Sequence, residues 1–432
     1  MRVLVVGGGG REHALCWALH ADDPTTNLFA APGNPGTAAL ATNLAVAATD
    51  LDGLAAAARD NRIDLVVVGP EAPLAAGLVD RLRAAGRPAF GPTAAAARLE
   101  SSKAFAKDVM VAAGVPTAAS RSFTAIAPAL AYIDRHAEPL VVKASGLAAG
   151  KGAVVCTTRV EAAGVARGML ERGALGAAGE EIVVETFLDG EELSVLALTD
   201  GERIVILPGA QDHKRLGEGD TGPNTGGMGA YCPVSMATPA LLERVRREVL
   251  VPTLAELDRR GCRYTGVMYA GLMIGDDGTP WVLEFNCRFG DPETQVLLPV
   301  LSRGSTAHLA AIAADAWRPE VAVLPASGAA VTTVLAARGY PDQPERGAAI
   351  SLPREPGDGV LLFHAGTGRD ADGTLRVAGG RVLNVTALAP TVREAAAASR
   401  AACDRVAFDG KTWRRDVAWR ECERSGGRAG AA

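Results

Sequence analysis

Short apolar runs alternate with helical patterns over the first hundred residues, and this alternation restricts the fold more than any other pattern in the chain. Strands are predicted at "RVLVVG", "NLFAAPG" and "IDLVVVG", and helices at 11–21, 52–60 and up to about Ala85. Strands that are apolar almost throughout, each followed by a helix, are typical of a parallel sheet covered on both faces. Residues 1–100 are therefore predicted to form an N-terminal parallel α/β domain.

A glycine loop lies between two further apolar runs in "VVKASGLAAGKGAVV", residues 141–155. A P-loop has four residues between its glycines, ends in Lys-Ser or Lys-Thr, and leads from a strand into a helix. Here three residues separate Gly146 from Gly150, Gly152 replaces the hydroxyl residue, and the β-rich "AVVCTT" follows. The pattern predicts a strand–loop–strand hairpin whose tip can fold over a nucleotide.

The remaining patterns predict a chain of mixed α/β and α+β domains. The predicted units are a central domain over 101–318, with a small subdomain at about 115–190, a C-terminal strand-rich domain over 325–423, and a disordered tail over 424–432. Within the central domain, antiparallel strands flank a helix at 238–260, and "WRPEVAVLPASG" marks the boundary to the C-terminal domain.

Charge and cysteine content exclude several classes of partner. The net charge is −5 and there is no long run of Lys or Arg, whereas nucleic acids and anionic membranes select a concentrated basic surface. No apolar run approaches the ~18 residues of a membrane span. The seven cysteines include no C-x-x-C pair, which favours free thiols in a reducing compartment. We therefore expect a cytoplasmic protein.

The first glycine-rich turn, "VLVVGGGGREHA", is similar to the fingerprint of dinucleotide-binding domains but does not complete it. Gly7 and Gly9 fit, but Glu12 occupies the position of the third glycine, which allows close packing of helix and strand. The second strand ends in "FAAPGN" and offers no acid for a ribose. A helix N-terminus still binds phosphate well, so a sugar phosphate suits the turn better than NAD. A turn without a ligand remains the alternative.

A candidate metal site lies in "VLEFNCRFGDPETQ". Glu284, Asn286 and Arg288 alternate, so on a strand they share one face. A carboxylate beside an amide oxygen suits Mg²⁺, which takes its other ligands from water and substrate phosphates. The adjacent Arg288 can bind a carboxylate or phosphate through its planar fork. The alternative is a polar, solvated strand face.

A candidate nucleotide site lies in "IVVETFLDGEELSV". An adenosine needs a hydrogen-bond acceptor, a backbone donor and a carboxylate, which can come from Glu185, the backbone of Phe187–Leu188 and Glu192. The alternative is an acid-rich surface hairpin, which would show the same pattern. Lys143 lies on an apolar strand, where a cation needs an anionic partner such as the ATP phosphates. Residues 212–231 are predicted to form a long functional loop, with a disordered linker as the alternative.

Together these motifs resemble the phosphoribosylamine–glycine ligases, which are ATP-grasp enzymes of purine biosynthesis. The resemblance covers about residues 1–420 and rests above all on "GGREHA", "VGPEAPL", "KASGLAAGKG", "ETFLDGEELS", "DTGPNTGGMGAY" and "EFNCRFGDPETQ". The chain departs from the family pattern at Ser145, where the family usually has Asp, and at Gly8, often Asn.

The resemblance implies a central ATP-grasp domain, ATP with Mg²⁺ or Mn²⁺ as cofactors, and a monomer that acts on small molecules. It implies that ATP phosphorylates glycine to glycyl phosphate, and that the amine of 5-phosphoribosylamine then displaces phosphate to give glycinamide ribonucleotide. Two alternatives stay open. A different ATP-grasp ligase would share the ATP site but not 220–231, and a non-catalytic nucleotide-binding regulator would lack Glu284, Asn286 or Lys143.

The resemblance also implies a role for each candidate residue. ATP is assigned to Lys103, Lys143, Gly150, Lys151, Gly152, Glu185, Phe187, Leu188, Glu192 and Lys214, and the metal to Glu284 and Asn286. Substrates are assigned to Gly9, Gly10, Arg11, Glu12, Glu71, Asp212, Arg288 and Asp291. Arg288, Asp212 and Lys143 are the expected catalytic residues.

Overall fold

A computed structural model describes residues 1–148 and 152–427 of the chain. The N-terminal part contains strands β1 (Arg2–Gly7), β2 (Asn27–Pro32), β3 (Thr42–Asn43), β4 (Leu65–Val68) and β5 (Ala89–Phe90), with helices α1 (Gly10–Asp22), α2 (Leu51–Asp60), α3 (Glu71–Ala75), α4 (Leu78–Ala84) and α5 (Ala94–Ser101). The strand order is β3-β2-β1-β4-β5, and every pairing is parallel. The parallel sheet predicted from the apolar runs is thus confirmed.

The central part begins with a small subdomain. It contains α6 (Lys103–Ala113), β6 (Ser120–Phe123), α7 (Ile126–Ile133), β7 (Leu140–Ala144), β8 (Ala153–Cys156), α8 (Arg159–Leu170) and β9 (Ile182–Thr186). Its four strands follow the order β6-β9-β7-β8. Strands β7 and β8 pair antiparallel, with Leu140 opposite Cys156, so the predicted hairpin is present. Gly150 and Lys151 at its tip lie outside the described residues.

The next segment carries the larger antiparallel sheet of the central part. It contains β10 (Glu191–Thr199), β11 (Ile204–Ile206), β12 (Gln211–Asp212), β13 (Arg215–Gly217), β14 (Thr221–Asn224), β15 (Gly229–Cys232), α9 (Pro239–Val245), α10 (Val251–Arg259), β16 (Gly266–Ile274), β17 (Pro280–Asn286), α11 (Thr294–Val300) and α12 (Ala307–Ala313). The sheet order is β11-β10-β16-β17. One π-helical turn, Arg246–Leu250, joins α9 to α10 within the helix predicted at 238–260.

The C-terminal part is strand-rich, as predicted. It contains β18 (Ala329–Ala336), β19 (Val360–His364), β20 (Thr367–Arg369), β21 (Leu375–Val377), β22 (Arg381–Ala389), α13 (Val392–Arg405) and α14 (Trp419–Gly427). Its main sheet has the order β12-β15-β18-β22-β19, and all its pairings are antiparallel.

The prediction that 212–231 forms a long loop is wrong, because this segment contains paired strands. Strands β12 and β15 from this segment form one edge of the C-terminal sheet, and β13 pairs with β14. Tyr231 faces Val331 across the β15–β18 pair, and both Tyr231 and Met228 are fully buried. Strand β15 pairs with the distant β18, whereas β13 pairs with β14 inside the segment, and neither pairing shows as an alternation of apolar and polar residues.

The prediction of a disordered tail from residue 424 is also wrong for its first residues. Helix α14 continues to Gly427, and Arg424 forms ion pairs with Glu191 and Glu421. Residues 428–432 lie outside the described part of the chain.

The three parts pack around shared apolar clusters. The largest cluster contains Val6 of β1, Phe285 of β17 and Val331 of β18, so side chains from all three parts meet. All seven cysteines are free thiols, as expected. Within the described residues, no helix combines the length and apolar character needed to cross a membrane.

Candidate active site

A cavity of about 420 Å³ lies where the three parts meet. The N-terminal part contributes Arg11 and Glu71 to its wall, and the C-terminal part contributes Arg381. Most of the wall comes from α6, the β7–β8 hairpin, the 212–226 segment and β17 with the turn after it. Residues distant in the sequence therefore converge on one volume.

Most of the residues predicted for the site line this cavity. Those in its wall are Arg11, Glu71, Lys103, Lys143, Gly152, Asp212, Lys214, Glu284, Asn286, Arg288 and Asp291. Those outside its wall are Gly9, Gly10, Glu12, Glu185, Phe187, Leu188 and Glu192. The tip residues Gly150 and Lys151 cannot be placed, because they lie outside the described residues.

Strand β17 brings the predicted metal donors to one face. Glu284 and Asn286 both line the cavity, as their spacing of two residues requires on a strand. Burial would raise the pKa of Glu284, but the charges of Lys103, Lys214 and Lys143 outweigh it, so this pKa is lowered and the carboxylate stays ionised. Asn286 Oδ1 accepts a hydrogen bond from Arg288 at 3.0 Å.

These donors fit a magnesium or manganese ion held jointly with a substrate. Carboxylate and amide oxygens are hard ligands, and Mg²⁺ commonly takes only one or two from the protein. Among residues 1–148 and 152–427, no cluster of three His, Cys, Asp or Glu side chains can enclose a metal. An ion at Glu284 and Asn286 would therefore need phosphate and water oxygens to complete its shell.

Two lysines and one glutamate form a buried cluster at one end of the cavity. Glu185 is 2 % exposed and pairs with Lys143 through one oxygen and with Lys107 through the other, the latter at 2.6 Å. Lys143 also donates to the carbonyl of Leu283 at 2.9 Å. Burial lowers the pKa of Lys107, against the raising effect of Glu185. Glu185 thus fixes two ammonium groups that face the cavity.

A second charged cluster joins β10 and β12. The Nζ atom of Lys214 lies 2.6 Å from Glu192 Oε2 and 2.8 Å from Asp212 Oδ1. Burial raises the pKa of Asp212 to about 6, with contributions from Glu293 and Glu192, although Lys214 opposes the shift. The carboxyl group of Asp212 is therefore protonated at a higher pH than an ordinary aspartate.

The two remaining charged candidates have different surroundings. Arg288 pairs with Glu100 at 2.9 Å and with Glu71 at 3.4 Å, which leaves its guanidinium in the cavity wall between two carboxylates. Asp291 forms an ion pair with Arg381 through Oδ2 at 3.2 Å, and its Oδ1 accepts a hydrogen bond from Gln295 at 2.7 Å. Both oxygens of Asp291 therefore have partners from the protein.

The glycine turn before α1 is held by its own glutamate. Glu12 accepts from the backbone N–H of Gly9 at 2.6 Å and from Nε of Arg11 at 2.5 Å. Gly69 packs against the side chain of Glu12. A Cβ at this position would lie 2.2 Å from Glu12 Oε1, so only glycine fits there. Glu12 thus shapes the turn, and Arg11 reaches the cavity wall.

Comparison with known proteins matches this architecture along nearly the whole chain. Models of phosphoribosylglycinamide synthetase match at residues 1–100 (N domain), 101–294 (ATP-grasp domain) and 330–420 (C domain). The chain is 47% identical over 425 residues to the phosphoribosylamine–glycine ligase of Mesorhizobium japonicum, covering 98% of this chain and 99% of that one. The chain belongs to the phosphoribosylamine–glycine ligase family.

Solved structures agree with this family membership. The crystal structure of the Thermotoga maritima phosphoribosylamine–glycine ligase is similar with a TM-score of 0.86 and 34% identity, over 96% of this chain and 100% of that one. A biotin carboxylase domain from Hydrogenobacter thermophilus, solved with MgADP and bicarbonate, has a TM-score of 0.75 and 17% identity, over 95% of this chain and 91% of that one. The second likeness concerns the fold alone.

Several residues of this family member's cavity were missed by sequence reasoning. They are Glu100, Lys107, Asn224, Thr225, Tyr269, Glu293 and Arg381. Lys107 stands four positions after Lys103 on α6, a spacing that places both on one helix face and could have indicated it. Asn224, Thr225 and Glu293 lie within two of the motifs that carry the family resemblance, which could have indicated them. Glu100 and Arg381 have no local signal, because their partners Cys287 and Asp291 lie far along the chain.

Proposed function

We propose that the chain catalyses the ATP-dependent ligation of glycine to 5-phosphoribosylamine, giving glycinamide ribonucleotide, ADP and phosphate in de novo purine biosynthesis. One observation carries the proposal. A single cavity joins the lysine cluster, the Glu284–Asn286 donor pair and Arg11, which follows the glycine turn of the N-terminal part, so three reactants can meet there. Family membership supports the choice of these substrates.

The lysines would bind the phosphates of ATP. Lys103 and Lys143 line the cavity, as does Gly152, which directly precedes the return strand β8 of the hairpin. Cations held in advance stabilise charge that develops on transferring phosphoryl oxygens. Glu284 and Asn286 would hold Mg²⁺ or Mn²⁺, which when bound neutralises phosphate charge. The adenosine is proposed to contact Phe187, Leu188 and Glu192, which lie outside the cavity wall.

Glycine would bind between Arg288 and Asp212. Arg288 can exchange its contacts with Glu71 and Glu100 for the glycine carboxylate, a geometry that suits its fork. Asp212 meets only Lys214 among the ion pairs of the described residues, whereas Arg381 and Gln295 occupy both oxygens of Asp291. This difference favours Asp212 for the ammonium group, with Asp291 supporting Arg381.

The reaction would proceed in two balanced steps. A carboxylate oxygen of glycine takes the γ-phosphoryl group, and the bond to ADP breaks. The amine of 5-phosphoribosylamine then attacks the carbonyl carbon of glycyl phosphate, the C–O bond to phosphate breaks, and the amine loses a proton. Arg11, Glu71 and the backbone of Gly9–Gly10 are proposed to hold the phosphoribosylamine, since a helix N-terminus attracts a phosphate. The N–H of Gly9 would then exchange Glu12 for that phosphate.

The direct test is ADP release by the purified protein. We expect ADP only when ATP, glycine and freshly generated 5-phosphoribosylamine are all supplied, with glycinamide ribonucleotide detected in equal amount by mass spectrometry. ADP release with a different amine or carboxylate instead would favour another ATP-grasp ligase. Nucleotide binding without turnover under any of these conditions would favour a regulator.

We also propose that the protein acts as a cytoplasmic monomer without nucleic acid. The net charge of −5 supports the absence of nucleic acid, and the seven free cysteines support a reducing compartment. Light scattering in solution would test the monomer.

Replacing Arg288 with Lys should separate the roles of the two small substrates. Lysine keeps the charge that Glu100 needs but loses the planar fork, so the KM for glycine should rise about tenfold or more while the KM for ATP changes little. Steady-state kinetics with each substrate varied in turn measures both values. Equal changes in both would assign Arg288 to a phosphate or to the structure.

Glycine binding should weaken at low pH. Burial raises the pKa of Asp212 to about 6, so the carboxylate becomes neutral below that pH and no longer attracts an ammonium group. The KM for glycine should rise about tenfold for each pH unit below that value. The variant Asp212→Asn should bind glycine weakly and lose this dependence. A KM for glycine that stays flat in the wild-type protein as the pH falls below that pKa would contradict the assignment.

A further inference from the structure

Helix α14 lies behind the two strands that carry the Lys214 cluster. Its Arg424 donates through Nη1 to both carboxylate oxygens of Glu191, each at 2.8 Å, at the start of β10. The same guanidinium binds Glu421 of its own helix at 2.9 Å. Arg424 thereby connects helix α14, at the end of the described chain, to the first residue of β10.

The contact continues into the protein through a buried glutamine. Gln211 is 2 % exposed and donates through Nε2 to Glu191 Oε1 at 2.9 Å and to the carbonyl of Glu192 at 2.5 Å. Its Oε1 accepts from the hydroxyl of Tyr231, which is fully buried. A continuous chain of hydrogen bonds thus joins Arg424 to the backbone of Glu192.

The alternation of side chains along strands links this chain to the site. Glu191 and Gln211 point to the back, where they meet each other and Arg424. The next residue of each strand, Glu192 and Asp212, points to the opposite face. These two carboxylates meet at Lys214, at 2.6 and 2.8 Å. The back pair, together with the backbone hydrogen bonds between Ser194 and Ala210, thus joins the two strands that carry the front pair.

We infer that Arg424 is a positioning residue, which holds Glu191 and Gln211 so that Glu192, Asp212 and Lys214 take the geometry that nucleotide and glycine require. The inference rests on the proposed function only for the identity of these ligands. It assigns the C-terminal helix a part in substrate affinity although Arg424 lies outside the cavity wall.

The helix has other anchors, which makes the role of Arg424 testable apart from docking. Glu421 accepts from both the N–H and the hydroxyl of Ser235, each at 3.1 Å. Arg420 pairs with Asp220 at 2.6 Å, on the loop that also receives Arg414. Loss of Arg424 alone should therefore leave α14 in place.

The test compares Arg424→Ala with Arg420→Ala as a matched variant on the same helix. Arg424→Ala should weaken ADP binding, measured by calorimetry, and raise the KM for glycine, each about tenfold, a size typical of residues that act without touching the ligand. The KM for 5-phosphoribosylamine should not change, because the proposed site of this substrate lies at the N-terminal turn. The Tm should not change either, because α14 keeps its other anchors. Arg420→Ala should leave all four values unchanged.

Two further variants sharpen the result. Arg424→Lys should recover part of the lost affinity, because one ammonium group still reaches Glu191. Glu191→Gln should reproduce Arg424→Ala, and the double variant should add little, since both break the same contact. Unchanged ADP affinity in Arg424→Ala, or a fall in Tm with all affinities reduced alike, would overturn the inference. Weaker ADP binding in a protein that ligates no glycine would reject the proposed function and uphold the positioning role.

Discussion

Replacing Lys143 with Ala should reduce kcat by two to three orders of magnitude, about the effect of losing one donor to a developing oxyanion. The ammonium group of Lys143 lines the cavity and is fixed from behind by Glu185 and the carbonyl of Leu283. The fold should survive, because Glu185 keeps its ion pair with Lys107 and is not left as an unpaired buried charge. Single-turnover ADP formation and the Tm measure the two effects separately.

Two comparisons make the Lys143 result specific. Lys143→Arg keeps the charge and should retain more of the rate than Lys143→Ala. Glu185→Gln removes the anchor behind the lysine but not the lysine itself, so its kcat should fall less than that of Lys143→Ala. Near-normal turnover in Lys143→Ala would show that this ammonium group serves only to neutralise Glu185.

Replacing Glu284 with Gln should be nearly as damaging, with kcat lowered by about a hundredfold or more. Glutamine keeps the size and hydrogen-bonding capacity but removes the anionic donor, whose pKa the surrounding lysines hold low. We expect kcat to fall by more than MgATP affinity does, since the ion matters most as charge develops during transfer. Titration of turnover with Mg²⁺ and calorimetric binding of Mn²⁺ with ADP provide the two measurements.

Asn286→Asp is the matched variant for the metal site. It adds a charge where Glu284→Gln removes one, so it should tighten Mn²⁺ binding while kcat still falls through a displaced ion. If Glu284→Gln leaves the Mg²⁺ dependence of ADP release unchanged, the ligand assignment fails. Glu284 would then be a polar residue on a strand face, the alternative that its alternating pattern also allows.

Patterns within a short window of the chain predicted much of this molecule. The apolar runs at β1, β2 and β4 predicted a parallel sheet, because strands buried on both faces need no polar alternation. The alternation of Glu284 and Asn286 predicted their common face, because side chains on a strand repeat every two residues. The flanks of the glycine loop predicted the β7–β8 hairpin. Each signal is set by backbone geometry within one element.

Only the tertiary structure decided which distant groups meet. Arg381 and Asp291 are 90 positions apart, and Glu100 reaches the backbone of Cys287 across 187 positions. No local period encodes such pairs. The same holds for the strands found in 212–231 and for helix α14, whose partners belong to other elements. The sequence by itself determined most of the elements, the family motifs and the donors on strand β17. The packing of three parts determined the cavity, the partners of each charge and therefore the chemistry that each residue can perform, because electrostatic energies depend on distance and burial.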